Sequence, residues 1–222
     1  MKVINMLQQK GGAGKTTTCI NIAACLARSG NRVVLIDCDL KQASASRWDS
    51  ESETHHFDVV AIEPIQLKAY IKGNNDLYDY AIIDTRPEVD ADAGRLIQVS
   101  DLVLMPIQPS PFDVWGCEDM LELVMARKEM TADLPNTPEE GLPVAHFLFV
   151  MVEETHKIFK DTLEAIDHAP IDALDAHTNR RTAYKRSAAE GESVFSEAQP
   201  DIAACYEVKS VCHQIERALQ WR

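Results

Sequence analysis

Positive charge is scarce in this chain. Its 222 residues hold 22 Lys and Arg against 35 Asp and Glu, a formal net charge of −13 at pH 7 with histidine neutral. A protein that coats nucleic acid or anionic lipid over its whole surface needs the opposite balance, because attraction to a polyanion grows with the number of cations presented. A local basic patch stays open. Long apolar runs are missing too. The most apolar stretch, Phe147-Leu148-Phe149-Val150-Met151-Val152, is far too short to span a bilayer and suits a buried strand. The opening residues Met1-Lys2-Val3-Ile4-Asn5-Met6-Leu7 lack the apolar core and small-residue cleavage site of a signal peptide. Cys19, Cys25, Cys38, Cys117, Cys205 and Cys212 form no C-x-x-C pair and have no histidine at ligand spacing. They read as reduced core thiols of a cytoplasmic protein. The histidines, the pair His55-His56 included, show no H-E-x-x-H pattern and read as loop and surface residues. Internal repeats and low-complexity tracts are absent.

What is present is ordinary for a folded chain: 45% hydrophobic and 26% charged residues, too apolar for disorder. A chain of this length buries roughly 70% of its unfolded surface. Short apolar runs alternate with helical patterns, the signature of a three-layer α/β fold with a mostly parallel twisted sheet and helices on both faces. Strands are expected at Val3–Leu7, Arg32–Ile36, Asp58–Ile62, Tyr80–Ile83, Leu102–Pro106 and Val144–Met151, with a last short one near Ile171–Leu174. Helices are expected at Thr16–Arg28, Ile65–Lys72, Ala91–Val99, Phe112–Met130, His156–His168, Ala183–Glu190 and from about Ala203 to Trp221. Trp115 and Trp221 read as packing residues. The stretch from Thr131 to Pro143 has three prolines and a glycine but is short enough to be a surface loop. The expectation is therefore one domain over residues 1–222.

The chemistry begins after the first strand, at Gln8-Gln9-Lys10-Gly11-Gly12-Ala13-Gly14-Lys15-Thr16-Thr17, which leads into a helix. Glycines let backbone N–H groups curl around phosphate oxygens, and a helix N-terminus adds the positive end of its dipole. In such a loop Lys15 reaches the β- and γ-phosphates and the Thr16 hydroxyl ligates Mg²⁺. A nucleoside triphosphate is the expected ligand.

Gln9 stands where the first glycine of the general P-loop pattern usually sits, and Lys10 precedes the glycine pair. K-G-G-x-G-K-T-T is the deviant Walker A form, and the chain resembles the ParA/MinD family of dimerising ATPases, most closely the small ParA-type partition proteins. The resemblance implies ATP, ADP and Mg²⁺ as ligands, with Lys10, Gly11, Gly12, Ala13, Gly14, Lys15, Thr16 and Thr17 holding the nucleotide. It also implies that Lys10 reaches across a face-to-face homodimer to the partner's nucleotide.

Further segments match the family. Asp37-Cys38-Asp39 stands where the family has D-x-D, and the resemblance makes Asp39 the residue that orients or activates the attacking water; capping at a strand end is the alternative for both aspartates. Leu40-Lys41-Gln42 departs from the usual Pro-Gln continuation, which bears on hydrolysis rate rather than on binding. Tyr80-Ala81-Ile82-Ile83-Asp84 has the Walker B form, with Asp84 on Mg²⁺ and Thr85-Arg86-Pro87 as a second switch; Arg86 serves either a phosphate, a dimer partner or a surface ion pair. In the segment Pro109-Ser110-Pro111-Phe112-Asp113, Ser110 or Asp113 reads as a helix cap.

Near the C-terminus, Arg180 to Phe195 is similar to the family's R-x-x-Y…G-x-S-V-F segment, and the resemblance makes Arg180, Arg181, Lys185 and Arg186 candidate contacts for nonspecific DNA. A solvated amphipathic helix is the alternative. The family implies a ParB-type or cargo adaptor that stimulates hydrolysis, and nucleoid association in the ATP state. Because the chain opens on its first strand, an N-terminal helix-turn-helix domain is not expected. Other readings are a membrane-cycling MinD-like ATPase, against which Glu207 and Glu216 in the last helix argue, a metabolic ligase or iron–sulfur reductase, and a nucleotide-dependent binding protein with little hydrolysis.

Overall fold

The computed structural model describes residues 1–53, 56–87 and 91–220. Strands β1 (Lys2–Met6), β2 (Val33–Asp37), β3 (Asp58–Ala61), β4 (Tyr80–Asp84), β5 (Leu102–Ile107) and β6 (Val144–Phe149) form a sheet in the order β3-β2-β4-β1-β5-β6. Every pairing in it is parallel. Around it lie α1 (Lys15–Arg28), α2 (Ser44–Glu51), α3 (Pro64–Asn74), α4 (Ala91–Val99), α5 (Pro111–Trp115), α6 (Glu118–Thr131), α7 (Lys157–Ile166), α8 (Thr182–Ala189) and α9 (Ile202–Ala218).

The period of two along each strand divides the apolar side chains between two cores. Ile4, Met6, Leu35, Ile82, Leu104 and Leu148 face α1, α8 and α9, where they meet Ile22, Ala183, Val208 and Val211. Val3, Ile36, Ile83, Val103 and Met105 face the other way, onto Leu67, Leu96, Met120 and Val124 of α3, α4 and α6. Each fully buried isoleucine or leucine contributes roughly 1.5–3 kcal/mol relative to exposure.

Strand β1 is central, and the chain leaves it first toward β2 and β4 and later toward β5 and β6. That reversal opens a crevice at the carboxyl ends of the strands, where open α/β sheets take their ligands. Register brings Met6 and Asp37 both level with Asp84 on that edge.

Several boundaries differ from those expected. The helix expected over Phe112–Met130 is two helices, because Gly116 ends α5 and Cys117 starts α6; a Cβ on Gly116 would lie 3.2 Å from the Phe112 carbonyl oxygen. The strand near Ile171–Leu174 makes one bridge, Ala173 to Phe147, and β6 stops at Phe149 because Met151 turns away at φ 54°. Helix α2, polar in sequence, was not expected. It is anchored by Ala45 and by Trp48, whose indole donates to the Glu192 carbonyl (3.1 Å) and stacks on Phe57. Trp115 is not a packing residue: it is 61% exposed, edge-on to Phe112, because this short helix turns Asp113 inward instead. Trp221 and His55 lie outside the described residues. All six cysteines are free thiols, five of them buried.

Candidate functional site

Strand β1 delivers the chain into the crevice, and Gln8 anchors the start of the glycine-rich loop. It is fully buried; its Nε2 donates to the Pro106 carbonyl (3.1 Å) and to Cys117 Sγ (3.0 Å), while its Oε1 accepts from the Lys10 amide (3.3 Å). The loop is thereby tied to the end of β5 and the start of α6. Gly12 and Gly14 take φ values of 76° and 79°, a left-handed backbone that glycine adopts without steric cost. Nothing lies within 4 Å of the Cβ positions at Gly11 and Gly12, which are exposed. Lys15 begins α1 and is buried; its Nζ donates back to the Gln8 carbonyl (3.1 Å) and the Lys10 carbonyl (3.4 Å). Burial pushes its pKa down, against the opposing pull of Asp84, Cys19 and Asp39.

Three carboxylates gather beside this loop. Asp84 at the end of β4 is almost completely buried, and burial raises its pKa to about 7; Asp37 and Asp39 add to the rise, while a hydrogen bond from Thr16 and the charge of Lys15 oppose it. Asp37 does structural work: it accepts from the Asp39 amide (3.1 Å) and from the Ser46 amide and hydroxyl (3.0 and 2.8 Å), which holds α2 in place. Asp39 caps the turn through the Gln42 amide (3.2 Å) and remains at the edge of the crevice. The capping alternative thus describes Asp37 well, and it describes one oxygen of Asp39.

Lys10 projects from the outer side of the loop to Asp113 on α5, an ion pair of 2.5 Å. Asp113 is therefore a buried partner for Lys10 and not a helix cap; Ser110 holds the N-cap position of α5 without a side-chain cap bond. Arg86 pairs with Asp92 (2.7 Å), which also takes Arg95 (2.6 Å). The basic segment of α8 is only partly available. Arg180 pairs with Glu153 (2.6 Å) and Arg181 with Glu207 (2.6 Å), while Lys185 and Arg186 are exposed, the latter reaching the Gln199 carbonyl at 3.4 Å.

A cavity of about 320 Å³ opens beside the loop, lined by Gly14, Thr17, Val150, Met151, Asn179 and Tyr184 among others. Sequence reasoning missed it, because its walls come from α1, the end of β6 and the segment leading into α8. Glu207, which ties that segment to α9, had one legible signal: an acid inside an otherwise apolar helical stripe.

Residues 4–194 match the family described as the CobQ/CobB/MinD/ParA nucleotide binding domain. The maintenance of carboxysome distribution protein A of Halothiobacillus neapolitanus is 26% identical over 213 residues, covering 93% of this chain and 92% of that protein. Among solved structures, a plasmid partition protein from Borrelia burgdorferi B31 bound to AMPPNP has a TM-score of 0.73 at 20% identity, covering 97% of this chain and 98% of that one. The cell division ATPase MinD of Pyrococcus furiosus gives a TM-score of 0.73 at 18% identity, covering 97% and 98%.

The chain belongs to the CobQ/CobB/MinD/ParA nucleotide-binding domain family. Its class is that of the ParA and MinD ATPases, and its site residues fit ATP, ADP and Mg²⁺. Among the described residues no group of three or more His, Cys, Asp or Glu is placed to hold a metal ion by itself. The groups at hand are one hydroxyl and one carboxylate, Thr16 at the start of α1 and Asp84 at the end of β4. Thr16 and Asp84 are the residues that would hold Mg²⁺, which would supply positive charge beside bound phosphates.

Proposed function

We propose that this protein is an ATP-dependent dimerisation switch, a single ATPase domain over residues 1–222, that partitions or positions cargo. The observation that carries this reading is the pair of lysines on one loop: Lys15 turned into the loop and Lys10 turned out of it. A general P-loop needs the first alone. The second has a use where another subunit's phosphates approach the same face.

In this reading the amides of Gly11 to Thr17 and the Lys15 ammonium hold the phosphates, and the base lies in the cavity beyond Gly14 and Thr17. Mg²⁺, held by Thr16 and Asp84, supplies positive charge to the phosphates when bound. Asp39 at the crevice edge orients water for attack on the γ-phosphate, and Lys10 of each subunit stabilises charge on the other's nucleotide. Hydrolysis is slow alone and stimulated by a ParB-type or cargo adaptor. Nonspecific DNA is the matrix, contacted through Lys185 and Arg186 with lesser contributions from Arg180 and Arg181, which places the ATP-bound dimer on the nucleoid in the cytoplasm. The cargo is DNA or a large protein assembly; the relatives named for carboxysome distribution and plasmid partition support both kinds.

The membrane-cycling alternative finds less support. Val211, Ile215 and Leu219 along α9 pack into the core and are not available to lipid, and among the described residues no helix is long and apolar enough to cross a membrane.

The test is light scattering after gel filtration, with phosphate release measured in parallel. The wild type is expected to run as a monomer with ADP and as a dimer with a slowly hydrolysed ATP analogue. Lys15→Ala is expected to bind neither nucleotide. A wild-type protein that stays monomeric with the analogue overturns the switch.

A further inference from the structure

The wall of the cavity beside the loop is organised by one buried carboxylate. Glu207 lies on α9, 8% exposed, among Val208, Val211 and Cys212. Four hydrogen bonds and an ion pair converge on it. The Asn179 amide (3.1 Å) and the Asn179 side-chain Nδ2 (3.0 Å) donate to its two oxygens. Arg181 donates through Nε (2.7 Å) and pairs with the carboxylate through Nη2 (2.6 Å), and the Tyr184 hydroxyl adds a bond of 2.9 Å. Asn179, Arg181 and Tyr184 all line the cavity that also touches Gly14 and Thr17 of the phosphate loop.

Burying a carboxylate is costly, and this one is compensated by an arginine and further donors of fixed geometry. Every one of those donors comes from residues 179–184, outside the phosphate loop. The arrangement leaves Arg181 little freedom to serve an external phosphate. It also leaves Asn179 Oδ1 buried with no partner among the described residues, an unsatisfied group in the wall of an apolar cavity.

We infer that Glu207 is a positioning residue for the nucleotide's base: by holding Asn179, Arg181 and Tyr184 together from α9, it sets the shape of the base cavity, while the phosphate loop stands independently of it. The inference rests on the nucleotide reading of the loop. It separates two contributions to affinity, one from the phosphates and one from the base, and assigns Glu207 to the second alone.

Calorimetry with ADP and with inorganic tripolyphosphate, which has no base, tests this on the whole chain. Wild type is expected to bind ADP more tightly than tripolyphosphate. Glu207→Gln, which keeps the size but removes the charge that gathers the donors, is expected to weaken ADP roughly tenfold, in line with loss of hydrogen bonds to a charged group. Tripolyphosphate affinity is expected to stay within about twofold, a split that general destabilisation does not produce. Tyr184→Phe removes a single bond to Glu207, keeps the ring, and is expected to show the same split at roughly threefold; it decides the matter if Glu207→Gln fails to fold. Equal losses for both ligands, or no loss for ADP, overturn the assignment. A wild type that binds tripolyphosphate and ADP equally well removes the base cavity and leaves the loop reading intact; one that binds neither removes the nucleotide reading itself.

Discussion

Lys10 and Asp113, separated by 103 residues, meet in a 2.5 Å ion pair in which the aspartate side chain is fully buried and the lysine side chain is 43% exposed. Lys10 can therefore leave toward solvent or another subunit, but Asp113 cannot follow. Among the described residues its desolvated charge then keeps the weaker bond from the Gln108 amide at 3.4 Å. Departure of Lys10 is thus an uphill step, which in the proposed switch a contact with the other subunit would offset.

Asp113→Asn removes the charge that retains Lys10. It is expected to lower the nucleotide concentration needed for half-maximal dimerisation by roughly threefold to tenfold, equivalent to about 1 kcal/mol, the scale of a partly exposed ion pair. Lys10→Gln is expected to bind nucleotide normally, to stay monomeric in light scattering, and to lose about 1 kcal/mol of stability in urea. A Lys10→Gln protein that dimerises normally would refute the cross-subunit role of this lysine.

Asp37 and Asp39, two residues apart, are expected to behave differently. Asp39→Ala keeps the fold and accumulates an ATP-bound dimer, read as a dimer peak that persists with Mg²⁺ and ATP. Asp37→Ala removes the acceptor of the Ser46 amide and hydroxyl and loosens α2, so its first effect is a loss of roughly 2 kcal/mol in thermal or urea unfolding. Unchanged turnover in Asp39→Ala would exclude it as the water-orienting group.

Asp84 links stability to pH in the nucleotide-free, metal-free protein. Its folded pKa, about 7, lies above the ordinary aspartate value of 3.8, chiefly through burial. A carboxyl raised in this way stabilises the folded state most when both states are protonated, below about pH 4. That contribution is lost as pH rises from about 4 through 7. Asp84→Asn, measured in EDTA, is therefore expected to match wild type near pH 4 and to exceed it by roughly 4 kcal/mol at pH 8. A difference that stays constant with pH would show that the charge of Asp84 is not what is being relieved.

The basic segment divides into two pairs. Lys185→Ala with Arg186→Ala is expected to reduce retention on nonspecific DNA and to lower the salt slope by about one unit for each phosphate no longer neutralised. Arg181→Ala is expected to act mainly on folding, because it strips the ion-pair partner from buried Glu207. Filter binding over a salt series, alongside melting curves, separates the two effects. Equal DNA loss from Arg181→Ala without a change in melting temperature would make Arg181 a DNA contact on a par with Lys185 and Arg186.

Most of the sheet was legible because its code is local. The apolar runs at Val33–Asp37 and Tyr80–Asp84 carry their own boundaries, and the loop from Gln8 to Thr17 has glycine at both positions where φ is positive. Helix α2 was illegible for the opposite reason. Its residues are polar, and the groups that hold it are distant: Asp37 beneath it, Phe57 beside it and the Glu192 carbonyl above Trp48. The single helix expected over Phe112–Met130 failed because hydrophobic periodicity does not register a break at one glycine.

The amino-acid sequence by itself determined the parallel α/β class, the phosphate loop and its extra lysine, and Asp84 at a strand end, since each depends on residues adjacent in the chain. Only the tertiary structure decided which charges are spoken for. Asp113 turns inward to Lys10, Glu207 gathers Asn179, Arg181 and Tyr184, and Glu153 takes Arg180. The physical reason is that desolvation and ion pairing depend on which side chains the fold brings within about 3 Å, and no spacing along the chain encodes that distance.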